Sequence, residues 1–269
     1  MSSIFQGFTK VCTTDFGRFK IKVDSQNIAV GGKNFCVNIA LRDDETSLYW
    51  LGTEDGGCEL NDKLIKGPNT VKMVDLAFSL LRQYYPDRTI VTLFDDSGFS
   101  WRGKKNKKFK IQFLNGYLLL HRKTWYEEKF NAKMINSDSY KEYRYKADHN
   151  FDDSTKKPAV FDFIDPEAKQ LLTPIYQQTN TWGEFIDEMV KKYDNTKYFL
   201  MYEWYRNAIY HIFDGIEIHH KWKIDVTQRP IISCKSLTQN GGKKTRKRHN
   251  ITFSNYDRIE PFYFTPNNL

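Results

Sequence analysis

The first 65 residues alternate between apolar and polar side chains, which is the period of a half-buried β-strand. The alternation is clearest at 18–23 and 35–41, and shorter segments of the same kind follow at 47–51 and 58–60. Acidic and glycine-rich turns separate these segments. The pattern predicts an antiparallel meander of short strands.

At residues 69–85 the period becomes that of a helix. Asn69 or Thr70 can cap its start, and Pro86 ends it. The short apolar run 89–94 follows and indicates a buried strand. The apolar stripe of the helix consists of Val71, Val74, Phe78, Leu81 and Tyr85.

A second helical stretch is predicted for 114–130, with a short strand at 131–135. In this helical stretch, the residues at helical spacing are Leu114, Leu118, His121 and Trp125. Residues 136–158 are polar, so we expect a long surface loop or a domain boundary there.

A capping box opens the clearest helix of the second half. Thr181 and Glu184 stand three residues apart, directly before an apolar face. We expect the Thr181 hydroxyl to accept a hydrogen bond from a free backbone N–H, and the Glu184 side chain to accept one from the cap residue. The apolar face consists of Phe185, Ile186, Met189, Val190 and Tyr193.

Together these elements predict an α/β (α+β) protein with a mixed, mostly antiparallel sheet. A further helix at 198–213 and strands at 216–222 and 229–234 would form a helical C-terminal extension with a small strand pair. The predicted division is an α/β domain at 1–135, a polar loop or boundary at 136–158, the helical extension at 159–235, and a basic tail with an aromatic C-terminal segment at 236–269.

Composition places the protein away from membranes. Charged residues make up 28% of the chain, mean hydropathy is −0.65, and no run approaches the roughly 20 apolar residues of a spanning helix. The start of the chain lacks the basic and apolar segments of a secretory signal. The cysteines form no CxxC pair, so we predict four reduced thiols in a reducing compartment: Cys12, Cys36, Cys58 and Cys234.

Two basic runs, 102–108 and 243–248, account for the formal net charge of +8. They contain no acidic residue and could hold a phosphate backbone with salt-dependent affinity. A nuclear-import-like tract or a solvated loop is the other interpretation. The candidate nucleic-acid contacts are Lys104, Lys105, Lys107, Lys108, Lys243, Lys244, Arg246, Lys247 and Arg248.

Motifs for metal-dependent chemistry or for a phosphate-binding glycine loop do not stand out. His219 and His220 are adjacent, so on a strand their side chains would point to opposite faces. The other histidines lack ligand spacing, and we predict no metal site. Asp95 and Asp96 follow the buried strand at 89–94, where carboxylates serve either as turn residues or in catalysis.

The order of elements from 18 to 135 resembles that of the GNAT superfamily of acyl-CoA-dependent N-acetyltransferases. The segment 125–130, Trp-Tyr-Glu-Glu-Lys-Phe, is similar to a motif that commonly closes the second helix of that core. Asn131 stands where the family has a glycine. The resemblance implies that Tyr126 protonates the leaving thiolate and that Glu59 or Glu54 deprotonates the amine.

The same resemblance implies an acetyl-CoA site on the loop before the first helix, formed by Lys66, Gly67, Asn69 and Thr70. Here the loop departs from the family. Leu64 replaces a Gln or Arg, Asn69 replaces a small residue, and Pro68 lacks an N–H. These differences predict weak or no acetyl-CoA binding and favour a scaffold that has lost catalysis.

Residues 123–133 and 241–248 are similar to segments of uncharacterised proteins of nucleocytoplasmic large DNA viruses. This resemblance implies a non-catalytic viral protein that binds nucleic acid or other viral proteins. Its expected place is intracellular, in the host cytoplasm, the viral factory or the virion interior. The alternative is an acyl-CoA-dependent N-acyltransferase acting on an amine.

Overall fold

The computed structural model describes residues 7–32, 34–51, 59–60, 63–64, 68–95, 98–102, 108–149, 151, 166–192, 212–213 and 221–235. The chain divides into two compact units. The first comprises Met1–Leu93 with Ile224–Tyr263, and the second comprises Phe94–Lys223 with Phe264–Leu269. The domain division predicted from the sequence stays a prediction.

The strands, numbered along the chain, are β1 Phe8–Thr14, β2 Gly17–Val23, β3 Asn27–Gly31, β4 Phe35–Leu41, β5 Thr46–Leu51, β6 Glu59–Leu60, β7 Lys63–Leu64, β8 Ile90–Phe94, β9 Gly98–Arg102, β10 Lys108–Gln112, β11 Lys133–Met134 and β12 Lys221–Asp225. The helices are α1 Pro68–Tyr84, α2 Phe113–His121, α3 Trp125–Phe130, α4 Ser137–His149, α5 Pro166–Gln177 and α6 Trp182–Lys192. Within the described ranges, no helix has the length and apolar character needed to cross a membrane.

Eight strands form one mixed sheet in the order β1-β2-β3-β4-β5-β8-β12-β11. This confirms the α+β class. From β1 to β5 each strand pairs antiparallel with the next, which confirms the predicted meander for 18–23, 35–41 and 47–51. The strand predicted at 58–60 does not continue it, because β6 pairs with β7 in a separate sheet. The alternation of apolar and polar residues places one face of each strand in the core. On β2, for example, Phe19, Ile21 and Val23 are buried, whereas Arg18 and Lys20 are exposed.

Helix α1 covers the core side of strands β3 and β4. It confirms the helix predicted at 69–85, and β8 confirms the strand predicted after it. The burial follows the predicted stripe, because Val74, Phe78 and Leu81 are inaccessible to solvent. Beyond the helix, the Tyr85 hydroxyl donates to the Asp24 carbonyl at 2.7 Å and ties the helix end to the β2–β3 turn.

The single helix predicted at 114–130 is wrong, because two helices, α2 and α3, occupy this stretch. Arg122 adopts a left-handed φ of 58° and ends α2. Thr124 then caps α3: its hydroxyl accepts from the Glu127 N–H at 3.3 Å, and the Glu127 carboxylate accepts from the Thr124 N–H at 3.4 Å. A complete capping box starts a new helix here.

Asn131 ends α3 in the left-handed region, with φ of 52°. Its N–H donates to the Glu127 carbonyl at 3.0 Å. This conformation strongly favours glycine, and asparagine is one of the few other residues that tolerate it. The residue found where the GNAT motif has glycine therefore has a glycine-like backbone. The strand predicted at 131–135 is confirmed by β11.

The polar stretch predicted as a loop forms a helix over much of its length. Helix α4 buries Tyr140, Tyr143 and Ala147 along one face, and the Tyr143 ring stacks on Phe213 at 3.6 Å. The loop prediction is therefore wrong for Ser137–His149. Tyrosine explains the error, because it counts as polar in the pattern while it buries a large ring.

Helix α6 begins where the capping box predicts. The Glu184 N–H donates to the Thr181 hydroxyl at 3.1 Å. The Glu184 carboxylate accepts instead from the Asn180 N–H, one residue before the expected cap residue, at 2.7 Å. Phe185, Ile186 and Met189 are buried, which confirms the apolar face; the Val190 side chain and Tyr193 lie outside the described residues.

The strand predicted at 229–234 is wrong. After β12 and a short 3₁₀ turn, Val226–Gln228, residues 229–235 run along α1, and their backbone pairs with β1 through an isolated bridge between Lys235 and Thr13. We call residues 229–235 the C-terminal strap. The helix predicted at 198–213 and the strand predicted at 216–222 fall mostly outside the described residues.

The strap also overturns the prediction of reduced thiols. Cys12 on β1 and Cys234 in the strap form a disulfide, although 222 residues separate them. Spacing in the sequence carries no signal for such a distant pair. Cys36 is a buried thiol outside this disulfide, and its Sγ donates to the Asn34 carbonyl at 3.4 Å; Cys58 lies outside the described residues. The prediction of a reducing compartment is based on four reduced thiols, so this disulfide removes its support.

Candidate functional site

In the first unit the sheet changes from antiparallel to parallel pairing between β5 and β8. The described pairs are Ser47 with Thr92 and Leu48 with Leu93. Directly after them β5 has a bulge: Leu48 pairs with Ile39 and Trp50 with Asn38, so Tyr49 is an extra residue, 67% exposed. A bulge re-aims the strand and interrupts its ladder, and such bulges are frequent beside active sites.

The amino ends of this strand pair are held together by side chains. The Thr92 hydroxyl donates to the Glu45 carboxylate at 2.7 Å. Arg88 donates to the Thr46 hydroxyl at 3.0 Å and to the Arg42 carbonyl at 2.6 Å. The pair is therefore pinned at one end, and the bulge lies toward the other. In sheets with parallel strands, ligands bind at the carboxyl ends, where the strand order switches.

The connection from β5 to β8 passes through β6, β7 and α1, and α1 starts with a Pro-Asn-Thr sequence free of acidic residues. The first N–H groups of a helix have no partner within it, and the helix dipole adds positive charge, so this end favours an anion. Pro68 and Asn69 begin the helix, and Thr70 is half-buried. Lys66, Gly67 and Glu54 lie outside the described residues. Glu59 lies on β6, but its side chain is not described.

In the second unit, Tyr126 is the second residue of α3 and only 8% exposed. Its ring lies against Trp125, with centroids 5.0 Å apart. Burial, followed by the negative charge of Asp95, raises the pKa of Tyr126. Asp95 is itself only 5% exposed. The charge of Asp95, a second candidate from the sequence, therefore acts on Tyr126, and this tyrosine keeps its proton at neutral pH. Asp96 lies outside the described residues.

Both glutamates of the Trp-Tyr-Glu-Glu-Lys-Phe segment are engaged with tyrosines. The Tyr117 hydroxyl donates to Glu128 at 2.8 Å, and the Tyr140 hydroxyl donates to Glu127. Burial, followed by these carboxylates, raises the pKa of both tyrosines. These bonds anchor α3 to α2 and α4, so they hold the backbone of Tyr126 in place.

A cavity of about 310 Å³ lies between the end of α2 and the start of α6. Gly183 permits the close approach, because a Cβ there would come within 3.0 Å of the Leu120 carbonyl oxygen. The His121 ring lies against the Tyr117 ring at a tilt of 46°, with centroids 4.1 Å apart, and burial lowers the pKa of His121. The cavity is lined by Leu119, Leu120, His121, Arg122, Thr181, Gly183, Glu184 and Asp187.

The predicted nucleic-acid contacts fall almost wholly outside the described residues. Only Lys108 is placed: it begins β10 and pairs with Arg102 of β9, and its side chain is not described. No group of three metal-ligating side chains occurs in the part of the chain that the structure describes. Comparisons with protein families, curated proteins and solved structures give no match.

Proposed function

We propose that the protein is a GNAT-like N-acyltransferase that transfers an acyl group from acyl-CoA to an amine. The observation that carries the proposal is the parallel pair of β5 and β8, joined through α1 in an otherwise antiparallel meander. The bulge at Tyr49 directly after that pair gives β5 main-chain groups that the ladder does not use. Such groups suit an extended acyl-pantetheine chain.

The position of Pro68 removes one argument against acyl-CoA binding. Pro68 is the first residue of α1, where proline is favoured because the first N–H has no partner within the helix. Asn69 and Thr70 each retain an N–H that the helix leaves unpaired. These N–H groups can bind the CoA pyrophosphate.

In the proposed reaction, the amine nitrogen forms a bond to the thioester carbonyl carbon, and the carbon–sulfur bond breaks. The resemblance to the GNAT motif assigns protonation of the departing thiolate to Tyr126. The phenol is protonated before the reaction, as that role requires, but burial also makes it a weaker acid, so the departing thiolate must draw the proton from it. The resemblance assigns removal of the amine proton to Glu59.

Isothermal calorimetry with acetyl-CoA tests the binding step. We expect a dissociation constant in the micromolar range, weakened about tenfold or more in Thr70→Asp, because a carboxylate in the first turn of α1 repels phosphate. Ser137→Asp makes the same charge change at the start of α4 and should leave affinity unchanged. Failure of the wild-type protein to bind would favour the non-catalytic viral scaffold that binds nucleic acid or other viral proteins.

Turnover tests the role of Tyr126. With acetyl-CoA and a panel of amines (spermidine and a lysine peptide), we expect Tyr126→Phe to reduce kcat about a hundredfold while acetyl-CoA affinity is kept. Tyr176→Phe removes another buried hydroxyl, which lies on α5 and donates to the Phe151 carbonyl, and it serves as the matched control. Equal losses in both variants would show that the loss comes from weakened packing and not from the Tyr126 proton.

A further inference from the structure

The C-terminal strap lies on a polar stripe of α1. Asp75, Ser79 and Arg82 are spaced so that they share one face of the helix. Arg229 of the strap donates to both carboxylate oxygens of Asp75, at 2.9 and 3.1 Å, and Arg82 donates to the Arg229 carbonyl at 2.9 Å. The first residue of the strap is therefore held by a two-pronged ion pair that is largely buried.

The remainder of the strap is held differently. The Ile232 N–H donates to the Ser79 hydroxyl at 2.8 Å, and the Lys235 N–H donates to the Thr13 carbonyl at 2.8 Å. Apolar packing is limited, because Ile231 is 70% exposed and Ile232 is only half-buried. The strongest link at this end is the bond from Cys234 to Cys12.

The two cysteine residues differ in their exposure to solvent. Cys12 is 1% exposed, whereas Cys234 is half-buried at the end of the strap. A thiolate from solvent therefore reaches the Cys234 sulfur more readily, and access is one determinant of exchange. We propose that the Cys12–Cys234 disulfide is an exchange site for a dithiol reductant, and that its reduction releases strap residues 232–235 while Arg229 stays bound to Asp75.

The exchange has two steps. A thiolate of the reductant attacks the Cys234 sulfur and forms a mixed disulfide, and Cys12 leaves as a thiolate and takes up a proton. The second thiol of the reductant then attacks the reductant's other sulfur, which is bonded to Cys234 in the mixed disulfide. This step releases Cys234 as a thiolate, which is protonated in turn. The dithiol loses two electrons and becomes a disulfide, and the protein gains two thiols.

Release is expected to be local because the chain before the strap has separate anchors. Val226 is fully buried, and its N–H donates to the Thr89 carbonyl at 2.9 Å. Asp225 caps the 3₁₀ turn through the Thr227 N–H. Segments with few buried apolar contacts open at low cost without global unfolding. Opening at the strap end therefore need not disturb the sheet.

Hydrogen exchange on the full chain, read by mass spectrometry, tests this proposal. The Cys12–Cys234 bond is first mapped on peptides after mild oxidation, and the protein is then compared with and without dithiothreitol. We expect the amides of Ile232 and Lys235 to exchange about tenfold faster or more after reduction, while the amides of α1 and of β2–β4 keep their rates. Reoxidation should restore the slow exchange.

Matched variants separate the effect of the Cys12–Cys234 disulfide from that of other thiols. Cys36→Ser should respond to dithiothreitol like the wild type. Cys12→Ser should show fast strap exchange without reductant, and should no longer respond to it. Three results would overturn the proposal: no Cys12–Cys234 bond after oxidation, unchanged strap exchange once two new thiols are titrated, or faster exchange throughout the sheet on reduction. The wild-type comparison decides the matter even if Cys12→Ser does not fold.

Discussion

Phe185→Ala is expected to lower the free energy of unfolding by about 3–5 kcal/mol. The Phe185 side chain is inaccessible to solvent, and its ring packs against those of Tyr176 and Trp182, with centroids 5.9 and 6.0 Å away. Truncation removes these contacts and leaves a cavity that such rigid neighbours fill poorly. The loss should appear as a lower denaturant midpoint at constant slope.

Thr181→Ala provides the comparison within the same helix. It removes the hydroxyl that accepts from the Glu184 N–H, and losing such a cap usually costs about 1 kcal/mol. The Phe185 variant should therefore be clearly the less stable of the two. Equal midpoints would mean that the apolar face of α6 does not belong to a packed core.

Asp75→Ala is expected to cost about 3–5 kcal/mol, because the Arg229 guanidinium loses its buried carboxylate partner. The side chains of Asp75 and Arg229 are only 9% and 15% exposed. Burial raises the pKa of Asp75, and the Arg229 hydrogen bonds act in the opposite direction, so the ion pair offsets only part of the desolvation cost. Removing one partner is therefore costly, while the intact pair adds little net stability.

A double-mutant cycle checks this account. Arg229→Met combined with Asp75→Ala should recover most of the stability lost in Asp75→Ala, because no buried charge remains. Denaturant midpoints at neutral pH measure all four proteins. Additive losses in the double variant would show that the two side chains act independently, and the strap would then lack the anchor assigned to Arg229.

Part of the candidate site could be predicted from local sequence. The motif points to Tyr126, and the position after a strand points to Asp95, but the effect of the Asp95 charge on Tyr126 depends on how α3 packs. The break between α2 and α3 also has a local signal, because Thr124 and Glu127 have the spacing of a capping box. The continuous apolar spacing across the break conceals that signal. The apolar periodicity of two helices separated by a short break is hard to distinguish from that of one continuous helix.

Local patterns were enough for the elements that bury one face. Alternation predicted the meander, a helical stripe predicted α1, and a three-residue spacing predicted the start of α6, because each signal lies within one turn or one strand. The Cys12–Cys234 bond and the Asp75–Arg229 pair join residues 222 and 154 positions apart. In both pairs, the sequence around one residue does not specify which distant residue will be its partner. Only the packing of β1, α1 and the strap brings them together, so tertiary structure alone decided how the end of the described chain is fastened.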